Sequence, residues 1–129
     1  LTGKRISLTP RPYGRDWVHY SDIARACRAA YACASREPQA FNVCSGQLTT
    51  THVVASLMEE IVGRKLLAEV PFAGADRYGE AEPGVLPDPA EGLVWRPAVA
   101  LPAGLARCWA WARSTVGARY LLAAEAAAA

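Results

Sequence analysis

The chain of 129 residues carries 14 Lys/Arg against 12 Asp/Glu, and 52% of it is apolar. Alanine supplies 26 of the apolar residues and other types only 41, so the core must come mainly from Leu, Val and Trp, with Ala at close helix contacts. This length suits one domain or part of a larger one. Abundant charge of both signs argues against disorder, and no apolar run approaches the ~18 residues of a membrane span. Lys4 and Arg5 lead into a polar, Pro-interrupted stretch without the pattern of a secretory signal. Cys27, Cys33, Cys44 and Cys108 show no paired or CxxC spacing, which suits reduced thiols and a cytoplasmic location.

In chain order, Ile6-Ser7-Leu8 alternates as a short strand, and Pro10, Pro12 and Gly14 break it. Asp16 to Tyr20, rich in aromatic and β-branched residues, predicts a second strand. Ser21 is placed to cap a helix over 21–35, with Asp22 in its first turn satisfying the positive end and Ile23, Ala26, Cys27, Ala30, Tyr31 and Ala34 on its apolar face. Pro38 closes that unit. Phe41–Cys44 reads as a strand ending in the Ser45-Gly46 turn. Thr50 or Thr51 then caps a helix with Val53, Val54, Leu57, Met58 and Ile61 on one face, and Gly63 sits at its C′ position.

Leu66 to Phe72 predicts another strand, and residues 73–100 a long Gly/Pro-rich acidic connection. Pro102 begins a last helix whose buried face is Leu105, Cys108, Trp109, Ala112 and Val116. The division is a region over 1–122 and an alanine-rich tail over 123–129, expected to fray. Strands alternating with helices argue α/β or α+β.

Charge is uneven. Residues 1–40 hold seven Lys/Arg against three Asp/Glu, whereas residues 66–95 hold six acids against Arg77 alone. The basic end suits a phosphate-bearing partner, or is simply a solvated face. Its bases are spread singly with no aromatic ladder between them, so neither nucleic acid nor membrane is the expected partner.

Several chemistries find no residues. There is no glycine fingerprint for a dinucleotide, no Tyr-xxx-Lys pair and no Gly-x-Ser-x-Gly elbow. His19 and His52 have no second metal ligand at useful spacing. Cys44 beside Ser45-Gly46 is a candidate thiol with no nearby His.

One set of segments carries a resemblance. Gly14-Arg15-Asp16-Trp17-Val18-His19-Tyr20-Ser21-Asp22-Ile23-Ala24 resembles the Arg-Asp-Phe-Val-x-Val-x-Asp-Val-Ala segment of the extended short-chain dehydrogenase/reductases, the NAD-dependent nucleotide-sugar epimerases and dehydratases. Phe41-Asn42-Val43-Cys44-Ser45-Gly46 is similar to their Phe-Asn-Val-Gly-Ser-Gly, and Arg77-Tyr78-Gly79-Glu80 to their Arg-Pro-Gly-Asp. A capped helix ending in Gly63-Arg64 lies between. Trp95-Arg96-Pro97 and Leu101 to Arg107 resemble the closing Gly-Trp-x-Pro and Leu-x-x-Gly-Leu. The segments stand in the family's order over residues 1 to about 116.

The resemblance implies an α/β fold class, namely the C-terminal substrate-binding portion of an extended Rossmann-type enzyme, without the N-terminal dinucleotide-binding half. It implies NAD or NADP for the complete family enzyme and none bound by this chain alone, which is then expected to be inactive by itself. It assigns Arg15 and Arg77 to the diphosphate of a nucleotide-sugar ligand, where a guanidinium can fork onto two phosphate oxygens. Asn42 falls near the nucleotide, where one amide both donates and accepts. Asp16 and Asp22 are read as structural, Asp16 bracing a loop or Arg15. His19 is read as packing or a buried hydrogen bond.

In the family the strand matching Phe41–Cys44 completes a larger sheet, so a homo-oligomer or a complementary Rossmann-containing chain is the expected partner. The alternative is a non-catalytic nucleotide-binding or interaction module that completes another chain's sheet. Two departures stand out: Cys44 replaces a family Gly, where a side chain would crowd the backbone, and Val94 replaces the Gly before Trp95.

Overall fold

A computed structural model describes residues 5–8, 13–33, 39–68, 84 and 92–127. β1 (Gly14–Asp16) pairs antiparallel with β2 (Leu48–Thr50), in the register Gly14↔Thr50, Arg15↔Thr49 and Asp16↔Leu48. The helices are α1 (Tyr20–Ala32), α2 (Thr51–Val62), α3 (Leu101–Arg113) and α4 (Thr115–Ala127). Helix α2 leaves β2 without a loop and packs on α3, which packs on α4. The described residues are therefore mixed α/β with a two-stranded ribbon.

The strands differ from their sequence expectation. Ile6 makes a single parallel bridge with Leu67, donating to Leu66 O at 2.7 Å and accepting from Ala68 N at 2.8 Å, in place of the strand expected at Ile6–Leu8 and within the described part of that expected at Leu66–Phe72. Residues 69–72 lie outside the described residues. The second strand ends at Asp16 because Tyr20 is already helical, so Trp17 to His19 carry the turn between the two. Phe41–Cys44 forms no ladder among the described residues. Gly46, at φ 76°, reverses the chain first, and pairing with β1 begins only at Leu48.

Helix α1 starts one residue before the expected Ser21 cap. His19 is the N-cap, and its Nδ1 accepts the Ser21 amide at 3.3 Å and lies 2.7 Å from the Ser21 hydroxyl. An amide can only donate, so Nδ1 is the acceptor and the ring proton sits on Nε2. Helix α2 matches its sequence signals. Thr50 Oγ1 accepts from Val53 N, and Gly63 ends the helix in the left-handed region at φ 73°. Glu59 locks this end. Its carboxylate accepts from the Leu66 and Leu67 amides at 2.8 and 3.0 Å and from Lys65 Nζ at 3.0 Å. These bonds, led by the Leu67 and Leu66 amides, hold its pKa down to about 2.

The last helix is two. Ser114 breaks it in an extended conformation, donates from Oγ to Trp111 O at 2.6 Å, and accepts Gly117 N at 3.1 Å. A side chain at Gly117 would collide with the Trp111 carbonyl, so the corner needs glycine there. Cys108 and Val116, expected on the buried face, are exposed, and Gly104 is the buried residue of α3. Helix α4 continues to Ala127, into the tail expected to fray.

Among the described residues the buried apolar ones are few: Tyr13, Ala26, Cys44, Leu93 and Trp95. Ala26, Leu93 and Trp95 form one cluster, against which Val18, Ala29, Ala30, Cys33 and Phe41 pack. Burying Leu93 contributes roughly 2 kcal/mol. Tyr31, Val53, Trp111, Val116 and Tyr120 remain exposed.

What fixes α1 onto the 93–99 segment is polar. Asp22 is wholly buried. Its Oδ2 accepts from Ala98 N at 3.2 Å and Val99 N at 2.9 Å, and its Oδ1 from Arg25 Nη2 at 2.7 Å. Trp95 Nε1 donates to Asp22 O at 3.1 Å, and Arg25 Nη2 also reaches Arg96 O at 2.9 Å. Asp22 thus serves a distant backbone, whereas the sequence places it at its own helix terminus. Burial pushes its pKa up, but the Val99 and Ala98 amides and Arg25 together hold it below the ordinary carboxylate value. Asp22→Ala strands two amides and Arg25, and should cost about 3 kcal/mol. Urea unfolding measures this; a midpoint equal to that of the wild type would contradict the clamp.

Candidate functional site

A cleft of about 300 Å³ opens between the ribbon and the start of α3. Trp17, Ser45, Gln47 and Thr49 line one wall, and the backbone run Pro97 to Leu101 lines the other. Each wall is set by a carboxylate. Asp22 holds Ala98 and Val99 in the second wall. Asp16 holds the first. Its Oδ1 accepts from Ser45 N at 2.6 Å, and its Oδ2 from Gly46 N at 2.9 Å and Gly84 N at 3.2 Å. Partial burial raises the Asp16 pKa, yet the bonds from Ser45, Gly84 and Gly46 bring it below the usual value. Both carboxylates are therefore ionised at neutral pH. They release their amides only as pH falls below the ordinary carboxylate range.

Arg15 lies directly across the ladder from Thr49. Directly opposed residues project from the same face of an antiparallel pair. Arg15 is therefore on the face of the ribbon that Thr49 presents to the cleft, and Asp16 is on the other. It is half-buried, and Nη1 donates to Gly14 O at 2.8 Å. Trp17, placed in a strand by its sequence, lies past the strand end. It is 37% exposed, with its indole nitrogen donating to Thr49 O at 3.0 Å. The cleft thus offers an aromatic face with hydroxyl and amide groups. Sequence reasoning passed over Trp17 as strand packing, although the alternation Arg15-x-Trp17 was the available signal.

Asn42 is exposed, three residues before the Ser45 amide that Asp16 holds. Arg77 lies outside the described residues.

Cys44 is buried, and burial together with the Asp16 carboxylate pushes its thiol pKa up. It stays protonated, a poor nucleophile. The crowding expected where Cys44 replaces glycine is absorbed opposite it: a Cβ on Gly84 would clash with Cys44 Cβ and lie 2.7 Å from its Sγ. Val94 points outward at 77% exposure and crowds nothing in the core. All four cysteines are free thiols. The His19–Ser21 contact has the distance of a nucleophile–base pair. However, it closes a helix cap, and His19 Nε2 is buried without a partner among the described residues, so no third group orients it. No group of His, Cys, Asp and Glu among the described residues could hold a metal ion.

The ribbon's strand-to-helix junction, Thr50-Thr51, has no glycine, and its orphan amide at Val53 is already taken by Thr50 Oγ1. A pyrophosphate needs close backbone approach at such a junction.

No known protein-family profile matches the chain, and no curated protein sequence matches it. Solved structures do. The UDP-glucose 4-epimerase of Bifidobacterium longum, in complex with NAD+ and UDP, superimposes with a TM-score of 0.60 at 18% identity, over 86% of this chain and 33% of that one. MoeE5, in complex with UDP-glucuronic acid and NAD, gives 0.59 at 23% identity, over 82% of this chain and 36% of that one. The chain spans about a third of the length of each. The likeness shows a shared mixed α/β fold. No helix among the described residues is long and apolar enough to cross a membrane.

Proposed function

We propose that these residues form the nucleotide-sugar-binding portion of an extended short-chain dehydrogenase/reductase of the epimerase/dehydratase type. The observation that carries this reading is Arg15 on the same face of the ribbon as Thr49 and its cleft, in a fold shared with two enzymes solved with uridine nucleotides. Arg15 forks onto the diphosphate, Arg77 assists it, and Asn42 lies toward the nucleotide. NAD is held by both neighbours. In this reading it belongs to another portion of the enzyme, and the chain alone turns over no nucleotide sugar. A cytoplasmic enzyme with reduced cysteines is consistent with four free thiols.

A second reading, a module that completes another chain's sheet, is favoured by one observation. Among the described residues no backbone hydrogen bond reaches Phe41–Cys44, and Val43 is exposed there. A strand whose backbone is left open beside an exposed apolar side chain would favour association. Light scattering at micromolar concentration should then show a dimer or larger species. A stable monomer, with the Phe41–Cys44 amides protected from exchange, would contradict it.

The ligand assignment is tested by calorimetry with uridine diphosphate (UDP). Arg15→Ala removes a charge-assisted contact worth about 1.5–3 kcal/mol, so affinity should fall roughly 10- to 100-fold. Equal affinity in the two proteins would contradict the role of Arg15.

A further inference from the structure

The geometry points to Asp16 as the positioning residue of the proposed nucleotide site, a node that gathers its separate segments without touching ligand. This rests on the nucleotide-sugar reading above. Asp16 directly follows Arg15 and projects from the opposite face of β1, away from the cleft. Its two oxygens accept three backbone amides from two remote stretches: Ser45 and Gly46, just past Asn42, and Gly84.

No side chain but an ionised carboxylate meets that demand. Three N–H donors converge on two oxygens, and both oxygens must be pure acceptors. Asparagine is nearly isosteric but turns one oxygen into an NH₂ donor. That donor would face either Ser45 N or the Gly46 and Gly84 amides. The packing beside Asp16 also leaves little room for a shifted loop, since Cys44 fills the space that Gly84 leaves open. Loosening Asp16 therefore frees the 45–46 wall of the cleft and the strand that orients Arg15.

The role separates from simple structural support through coupling. If Asp16 acts by placing Arg15 and the cleft wall, its effect on ligand affinity must shrink when Arg15 is already gone. UDP binding is measured by calorimetry for wild type, Asp16→Asn, Arg15→Ala and the double variant. Asp16→Asn alone should weaken UDP about tenfold while still unfolding cooperatively, and should add less than about twofold in the Arg15→Ala background.

A second measurement needs no Asp16 variant. On adding UDP, the Ser45 and Gly46 amide resonances should shift in the wild type and stay still in Arg15→Ala. Wild-type UDP binding with unchanged affinity in Asp16→Asn, full additivity in the cycle, or unmoved Ser45 and Gly46 amides would each overturn the assignment to Asp16 alone. Absence of UDP binding to the wild type would overturn the nucleotide-sugar reading, and this inference with it.

Discussion

The buried carboxylate of Asp22 holds helix α1 to a backbone segment more than seventy residues further along the chain. Its bonds to the Ala98 and Val99 amides fix where that segment runs. The Trp95 indole, donating to the Asp22 carbonyl, sets the large apolar side chain of the core against Ala26. Burying a charge is costly unless it is fully satisfied, and here Arg25 and two amides satisfy it. Among the described residues the apolar cluster that holds the 93–99 segment is small. The start of α3 follows directly from this segment, and with it one wall of the cleft.

The opposite wall repeats the device. Asp16 draws in the Ser45–Gly46 turn and Gly84 in the way Asp22 draws in Ala98 and Val99. Two carboxylates six residues apart in sequence thus set the two sides of one cleft, each by accepting main-chain amides from a distant loop. Such a cleft is stiff where irregular backbone would otherwise drift, and preorganisation lowers the cost of binding. Arg15 sits between the two devices on the ribbon face shared with Thr49, where it gains a defined position from its strand. The electrostatics agree with the geometry. The negative charges of Asp16 and Asp22 are spent on amides and on Arg25.

Much of this was legible in the sequence. The Thr50 cap and Gly63 stop of α2 follow from local chemistry, and both stand where the sequence puts them. Helix α3 starts at Leu101, one residue before the expected Pro102, which takes a first-turn position. The family resemblance came from ordered motifs, and the fold comparison shows a shared mixed α/β fold. What was not legible depended on partners far away in sequence. Asp22 looks like an ordinary first-turn acid until Ala98 and Val99 arrive. The ribbon's second strand at Leu48–Thr50 has weak alternation of its own and forms because Gly46 and Asp16 turn the chain back onto β1. Ser114 was legible but missed: Ser114-x-x-Gly117 is a cap followed by a glycine, inside what reads as one helix. His19 as a cap escaped because histidine seldom takes that position, whereas Ser21 two residues on usually does.

The claim that two carboxylates set the cleft is tested most directly by amide hydrogen exchange in the unliganded protein. The amides of Ser45, Gly46, Ala98 and Val99 lie outside every helix and strand. Nothing in the local structure of their segments would slow their exchange, so protection there reports the carboxylates alone. The account predicts protection comparable to the interior of α1 at neutral pH, lost at Ala98 and Val99 in Asp22→Asn and at Ser45 and Gly46 in Asp16→Asn. Exchange at the unprotected rate in the wild type would show that neither wall is held as described.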